Sequence, residues 1–242
     1  MSRQKINRPM KADFENSKDH YAEIIQGSLP FSNVKHDFYT EVKAACLVRL
    51  FQERGARPEA AEVLDIGCGV GLTDTLLIPH FGRLAGVDIS PGVIELAARR
   101  NPSARYLVYD GNILPFPDNA FDLVIAVNVL HHVAPQQWRQ TVLEMKRVCK
   151  EGGMVAVFEH NPYNPLTRLV VSRCELDTDA VLLACRETVQ LFEQSGLRRV
   201  GRGHILFFPF RGKVFRWVED RLRWLPFGAQ YYVVGGKATG AP

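Results

Sequence analysis

The feature that most constrains the fold is the run VLDIGCGVG at 63–71, in which an apolar, strand-like segment leads directly into closely spaced glycines. Glycines let a chain turn tightly and approach a ligand, because no Cβ stands in the way. Such a turn between a buried strand and a helix is typical of open α/β sheets, which bind ligands at the carboxyl ends of their strands. The sequence therefore predicts an α/β domain with a ligand site beside this turn.

Apolar strand-like segments and helical segments alternate along most of the chain, as in a parallel sheet covered on both faces. The predicted strands are 63–66, 84–88, 105–109, 121–127, 154–159, 198–208 and 231–234. Helices are predicted at 72–81, with Pro79 as an early stop, and at 91–100, 136–149 and 179–195. The segment 21–54 is expected to be helical with a break at 27–33, and 161–168 is expected to be a loop because it holds two prolines.

Length and composition set outer limits on what the chain can be. Its 242 residues suit one α/β domain with elaborations, and a net charge of +4 is too weak to indicate nucleic-acid binding. No apolar run is long enough to cross a bilayer, and the N-terminus lacks the apolar region of a secretory signal. The five cysteines form no C-x-x-C pair, which favours reduced thiols over disulfides or a zinc site. We therefore expect a cytoplasmic protein.

The spacing of the glycine-rich turn narrows the class of ligand. A dinucleotide-binding turn reads G-x-G-x-x-G and holds a pyrophosphate at the helix N-terminus. Here the glycines follow G-x-G-x-G, and Asp65 opens the turn. A carboxylate at that place would repel a pyrophosphate, whereas it suits a ligand that carries an ammonium group. The alternative is a tight turn that serves only the fold.

Two further acids end the next two predicted strands. Asp88 stands where a carboxylate can accept hydrogen bonds from both hydroxyls of a ribose. Asp110 opens the sequence Asp110-Gly111-Asn112 after the third strand, where an adenine would lie. Because the carboxyl ends of parallel strands meet at one edge, the three acids are predicted to converge there.

Together these segments resemble the motifs of class I, Rossmann-like S-adenosylmethionine-dependent methyltransferases. The resemblance covers about residues 63–159 and includes NVLHHV at 128–133 and KEGG at 150–153. It implies S-adenosyl-L-methionine as the cofactor and a doubly wound, seven-stranded sheet, mostly parallel with the last strand antiparallel. The residues it implies for the cofactor are Asp65, Gly67, Cys68, Gly69, Asp88, Ile89, Asp110, Gly111, Asn112 and Asn128.

Within that architecture, residues 1–55 are predicted to form an N-terminal helical cap and residues 56–242 the methyltransferase domain. Insertions at about 161–178 and 209–228 are expected to crowd the active-site edge together with the N-terminal helices. Because loops carry most of the functional variation on such scaffolds, these segments are expected to select the acceptor.

Three histidines are candidates for a general base. His131 and His132 follow the fourth strand, where a packing role is the alternative, and His160 follows the fifth strand beside Glu159. Methyl transfer can also proceed by positioning alone, without a base. Adjacent positions on a helix do not face the same way, so His131 and His132 do not suggest a joint metal site, and we expect no metal requirement.

The segments outside the core bear on the acceptor. Asn161-Pro162-Tyr163 only partly resembles the N-P-P-[YF] motif that holds a nucleic-acid base, since it lacks the second proline and follows the wrong strand. The segment 211–227 is amphipathic, with Trp217, Trp224 and five basic residues. It suits either a helix packed on the core or one at a membrane interface that caps an apolar acceptor. Further apolar side chains in the added segments are Phe31, Phe38, Tyr39, those of 169–171 and those of 207–210.

The leading hypothesis is methyl transfer to a small-molecule or lipid-linked acceptor, with no nucleic-acid partner and with peripheral membrane contact left open. The alternatives are a cofactor-binding module without catalysis and a nucleotide-cofactor oxidoreductase. The acceptor atom and the oligomeric state are not indicated by the sequence.

Overall fold

A computed structural model describes residues 36–208, 210 and 212–240. The predicted helical stretch before residue 36, the break at 27–33, Phe31 and Arg211 lie outside the described residues. The side chains of Lys213 and Arg216, two of the basic residues noted above, also lie outside the description.

The described residues build one seven-stranded sheet flanked by helices. Its strands are β1 (Glu62–Ile66), β2 (Arg83–Asp88), β3 (Arg105–Val108), β4 (Phe121–Val127), β5 (Cys149–His160), β6 (Arg198–Ile205) and β7 (Gln230–Gly236). The α-helices are α1 (His36–Gln52), α2 (Leu72–Leu77), α3 (Pro91–Arg100), α4 (Trp138–Val148), α5 (Pro165–Arg173), α6 (Cys185–Gln194) and α7 (Lys213–Leu222).

The strand order is β3-β2-β1-β4-β5-β7-β6. The pairs among β1 to β5 are parallel, and β7 pairs antiparallel with both β5 and β6. The last strand is therefore the antiparallel one, which confirms the predicted Rossmann-like sheet. Because β6 runs parallel to the first five strands, its connection to β7 leaves from the same edge as the glycine-rich turn.

The sheet is covered on both faces, as its continuous apolar strands require. One hydrophobic core joins the sheet to α1 and α2, with Leu47, Phe51 and Leu77 among its members. The other joins the opposite face to α4 and α6 through Met145 and Phe192. The helix α1 thus belongs to the main core, while the proposed boundary near residue 55 stays a prediction.

Several boundaries differ from the predictions, each for a local physical reason. The loop predicted at 161–168 is wrong, because α5 begins at Pro165 with the Asn164 side chain accepting a hydrogen bond from Thr167 N at 3.0 Å. The helix predicted from residue 179 begins only at Cys185, since the preceding segment is held to the segment after β4 by Val181 N donating to His131 O at 2.8 Å.

The other differences concern strands. β5 begins at Cys149 rather than at 154, because Cys149 already pairs with Phe121 and the KEGG segment lies in the register shift before Met154 pairs with Leu123. β6 ends at Ile205, short of 208, and α2 ends before Pro79 as predicted. Among the described helices, none is both long and apolar enough to cross a membrane.

Candidate cofactor and acceptor site

The glycine-rich turn joins β1 to α2 with Gly67, Gly69 and Gly71 in the left-handed region, at φ of +65°, +54° and +74°. The amides of Gly67 and Cys68 both donate to Val87 O in β2, which fixes the turn to the neighbouring strand. A Cβ on Gly67 would lie 2.6 Å from the Val129 side chain. Only glycine therefore fits here on both conformational and steric grounds.

The Asp88 carboxylate lies beside this turn at the end of β2. Its Oδ2 accepts from Gly69 N at 3.1 Å and its Oδ1 from Ser90 N at 3.0 Å. Burial raises the pKa of Asp88, while these amides and that of Ile89 act in the opposite sense. Each carboxylate oxygen has a second lone pair, so the oriented group can still accept two ribose hydroxyls.

The third acid, Asp110, is exposed at the end of the next strand. Its Oδ1 accepts from Asn112 N at 2.8 Å and from Ile113 N at 3.0 Å, and these bonds lower its pKa. Gly111 has a φ of +85°, and a Cβ there would meet Ile89 at 3.4 Å. The structure thus brings the predicted ribose and adenine segments next to each other.

Asp65 is buried beneath the turn against a second acid, Asp74. Burial and the Asp74 carboxyl raise the pKa of Asp65 well above its ordinary value. Tyr106 donates its hydroxyl to Asp74 Oδ2 at 2.7 Å, but Asp65 Oδ1 is buried without a hydrogen-bond donor from the described residues. An ammonium group of a ligand would supply the missing donor. Cys68 is buried beside these acids, and burial raises its pKa, which suits a packing role.

A buried lysine, Lys43 of α1, enters the site and was not predicted. Its Nζ donates to Asn128 Oδ1 at 3.0 Å, and Asn128 Nδ2 lies 2.7 Å from His160 Nε2. Burial lowers the pKa of Lys43 to about 8, although Glu159 and Asp65 oppose that shift. The sequence signal that could have identified Lys43 is its place between Val42 and Ala44 in an otherwise apolar helical stretch.

The three candidate histidines lie together, but in different states. His131 is buried, with Nδ1 at 2.6 Å from Glu159 Oε2. Burial lowers the pKa of His131, but Glu159 and Asp177 outweigh burial and raise it to about 9. Burial and the charge on His131 lower the pKa of His132 to about 4 and that of His160 to about 3. The last two are therefore unprotonated at neutral pH and chemically able to accept a proton.

Asp177 joins this cluster from the segment after α5, and sequence reasoning missed it. Its Oδ1 lies 3.5 Å from His131 Nε2 and 3.5 Å from His132 Nε2. Within the part of the chain that the structure describes, His131, His160 and Asp177 form a group whose ligand atoms all lie within 4.8 Å of one another. The expectation of no metal rested on the spacing of the histidines and carboxylates along the sequence, which could not reveal that Asp177 joins them.

Large apolar side chains surround the same edge of the sheet. Trp217, Trp224 and Tyr163 are 57%, 77% and 75% exposed, and Leu166 and Phe227 are also exposed. These five residues, which we call the apolar rim, come from the segments that follow β5 and β6. Both tryptophans of 211–227 face away from the core, and the choice between the two alternatives for this segment stays a prediction.

Asn161 connects the two rim segments. It is buried, and its Nδ2 donates to Pro226 O at 3.0 Å and to Gly228 O at 2.8 Å. Because these carbonyls take its amide donors and its Oδ1 accepts from Tyr163 N at 3.1 Å, Asn161 is not placed to hold an exocyclic nitrogen of a base. Its partial resemblance to a base-binding motif is therefore explained by a structural role.

Comparison with known proteins agrees with this geometry. Residues 64–157 match a family model described as a methyltransferase domain. A segment of 108 residues, 43% of this chain, is 33% identical to 2-methyl-6-phytyl-1,4-hydroquinone methyltransferase of Synechocystis sp. and covers 33% of that protein. A segment of 145 residues, 60% of this chain, is 28% identical to probable tRNA methyltransferase 9B of Mus musculus and covers 30% of it.

The matched segments thus span only about a third of the length of these two curated relatives. Among solved structures, a possible histamine N-methyltransferase from Thermotoga maritima has the same fold, with a TM-score of 0.66 and 20% identity over 93% of this chain and 99% of that one. The three names carry three different acceptors, so the comparisons identify the cofactor domain and leave the acceptor open. Residues 64–157 of this chain therefore match the methyltransferase-domain family, within a sheet that has the Rossmann-like order.

Proposed function

We propose that the chain transfers the methyl group of S-adenosylmethionine to a small acceptor with an apolar or lipid-linked body, which it takes from a membrane surface. The observation that carries this acceptor class is the apolar rim, because it places exposed tryptophan, tyrosine and phenylalanine around the edge of the sheet that holds the cofactor residues. Isolated exposed apolar residues are ordinary, but a group of them around one site marks an interaction surface.

The chain's own residues fit each part of the cofactor. Asp65 Oδ1, which lacks a donor, suits the ammonium group of the methionine moiety. Asp88 suits the ribose, and the segment of Asp110 with Ile89 suits the adenine. Asn128, held by Lys43, would border the methionine end. Bound S-adenosylmethionine supplies an electrophilic methyl group on its sulfonium sulfur.

The acceptor side of the site needs correct alignment above all. Methyl transfer requires the nucleophile to approach in line with the breaking bond, and positioning can supply much of the lowering of the barrier. Where the acceptor is protonated, His132 and His160 are the candidates to receive its proton, and because pKa values of about 4 and about 3 make both of them weak bases, alignment carries most of the rate. His131 is fully enclosed and ion-paired with Glu159, so we assign it an orienting role.

The relative from Synechocystis sp. supports this acceptor class, because its name gives a hydroquinone with a phytyl tail. The overall charge also favours this class over a nucleic-acid acceptor. A nucleic acid would need a basic groove along its backbone, and a net charge of +4 over 242 residues is too weak to indicate one.

The test compares two acceptors that share a headgroup. A prenyl-tailed hydroquinone in mixed micelles and the same hydroquinone without a tail are incubated with methyl-labelled S-adenosylmethionine, and methylated products are measured by mass spectrometry. We expect kcat/KM to be at least tenfold higher for the tailed compound, and Asp88→Ala to reduce both rates. Equal rates for the two acceptors, or no product from either while the cofactor still binds, would contradict the proposed acceptor class.

A further inference from the structure

Three potential metal ligands, His131, His160 and Asp177, face one another, and a fourth, His132, contacts Asp177. We propose that His131, His132, His160 and Asp177 bind one divalent transition-metal ion, for which Zn²⁺ is the best match. This inference does not rest on the proposed methyl transfer, since metal binding can be measured without any acceptor or cofactor. It replaces the expectation that no metal is involved, and with the ion bound His132 and His160 act as ligands and not as proton acceptors.

The distances from Asp177 to the two histidine rings are closer to those between two ligands of one metal ion than to those of hydrogen bonds. Asp177 Oδ1 lies 3.5 Å from Nε2 of both His131 and His132. Good N–H···O hydrogen bonds are about 2.7–3.2 Å long. Two ligands of a tetrahedral metal with bonds of about 2.1 Å are separated by about 3.4 Å. The two contacts therefore have the length of tetrahedron edges that share Asp177.

His160 completes the set. Its ligand atom lies within 4.8 Å of those of His131 and Asp177, so it must approach by up to about 1.4 Å to reach tetrahedral spacing. Its Nε2 lies 2.7 Å from Asn128 Nδ2, a contact that metal binding through this atom would replace, and its contact to Gln230 through Nδ1 is longer, at 3.4 Å. Side chains of His132 and Asp177 are 17% and 11% exposed, which gives an ion a route from solvent.

The hydrogen-bond contacts around His131 match those that usually hold a metal-bound histidine in place. Metal-bound histidines almost always donate their other ring N–H to a carboxylate or carbonyl, which fixes the ring and its tautomer. Here Nδ1 of His131 lies 2.6 Å from Glu159 Oε2, which leaves Nε2 directed at Asp177. Glu159 is fixed in turn, because its Oε1 accepts from Val129 N at 3.0 Å and from Leu130 N at 2.6 Å.

The charge of the cluster also favours a cation. Two largely enclosed carboxylates, Glu159 and Asp177, face the histidines. A metal requires unprotonated imidazoles, and it replaces any proton that the ligands hold. The mixed nitrogen and oxygen set suits Zn²⁺ better than the harder Mg²⁺ or Ca²⁺, which prefer oxygen ligands alone. An acceptor hydroxyl that coordinated this ion would be more acidic than in water.

The experiment uses the full chain, stripped with a chelator and then dialysed. ZnCl₂ is added and bound zinc is counted by mass spectrometry, while CoCl₂ is titrated in parallel and the visible absorption is recorded. We expect one ion per chain and the intense Co²⁺ bands of a four-coordinate site. Asp177→Asn and His132→Gln should each weaken binding at least tenfold, whereas His80→Gln, an exposed histidine elsewhere, should bind as the wild type does.

Calorimetric binding of S-adenosylmethionine shows which variants are folded. If Asp177→Asn does not fold, His132→Gln alone tests the loss of metal binding. Less than one tenth of an ion per wild-type chain would overturn the proposal. So would an affinity in both folded variants equal to that of the wild type. Either result leaves the methyltransferase proposal standing, because that proposal is tested by product formation.

Discussion

Asp88 is the residue whose role in cofactor binding can be tested most directly, because its carboxylate is already oriented by Gly69 and Ser90. Asp88→Ala removes two hydrogen bonds to the ribose, each worth about 1–3 kcal/mol when partners are left unsatisfied. We expect the Kd for S-adenosylmethionine, measured by calorimetry, to rise by at least tenfold. Glu95→Ala, which removes an exposed acid paired with Arg99, is the matched control. Unchanged affinity in Asp88→Ala would refute this assignment.

The buried pair Asp65 and Asp74 gives a prediction for stability against pH. Burial raises the pKa of Asp74 from 3.8 to about 6, against the opposing bonds from Tyr106 and Asp65. A raised pKa means that the folded state binds more protons than the unfolded state between these values. The free energy of unfolding of the cofactor-free protein should therefore fall as pH rises from 4 to 7, by up to about 3 kcal/mol.

Asp74→Asn should remove the part of this slope that belongs to Asp74, because an amide keeps an oxygen for the Tyr106 hydroxyl and carries no charge, while burial still raises the pKa of Asp65. Urea unfolding at pH 4.5 and pH 7 measures both slopes, with Asp118→Asn as the control at an exposed acid. If the variant keeps the wild-type slope, Asp74 is not a source of the pH dependence.

At the scale of single residues, the sequence predicted the positions of the strand-end acids better than it predicted which side chains join them from the added segments. Asp65, Asp88 and Asp110 could be predicted because each follows a recognisable strand and parallel strands align their ends. Lys43 and Asp177 could not, since each enters from an added segment whose packing depends on tertiary contacts. The histidines were predicted individually, but their grouping with Asp177 was not.

Among the elements, the two rim segments and their connection through Asn161 carry the clearest prediction. Asn161 donates to Pro226 O and Gly228 O, and Asn164 donates to Phe227 O at 2.7 Å. Asn161→Ala leaves two carbonyls without that donor, at a cost of about 1–3 kcal/mol. Hydrogen exchange should speed up in 213–229 and stay unchanged in β1 and β4. A uniform change across the sheet would point to global destabilisation instead.

The regular elements were predictable where hydrophobic patterning and capping residues agreed. β4 was predicted to the residue, and α3 begins after Ser90 because that side chain accepts from Val93 N. α5 was missed because two prolines were interpreted as loop signals, although proline is well accommodated in the first turn of a helix. The start of α6 was misplaced because the contact from Val181 to His131 O cannot be inferred from patterning.

For the whole molecule, the arrangement of the rim at one edge predicts an orientation on a membrane. Trp217 and Trp224 would enter the interface, where amphipathic aromatic side chains are favoured. Arg221, stacked 3.5 Å from the centre of the Trp217 ring, would face anionic headgroups. Docking this edge on the bilayer would place the cofactor residues next to an acceptor that never leaves the lipid.

The corresponding prediction is that the wild type co-sediments with vesicles containing anionic phosphatidylglycerol and that the double variant Trp217→Ser, Trp224→Ser does so at least tenfold more weakly. The loss of two partly inserted aromatic side chains is worth about 2–4 kcal/mol, which corresponds to about 30-fold or more. Val108→Ser, at an exposed apolar residue on the edge strand β3, is the control and should bind as the wild type does. Raising the salt concentration should weaken binding only in part, because the apolar contribution is not screened. If wild type and double variant associate equally, or if neither associates, this edge does not dock on the membrane, and the apolar rim must instead contact the acceptor directly from solution.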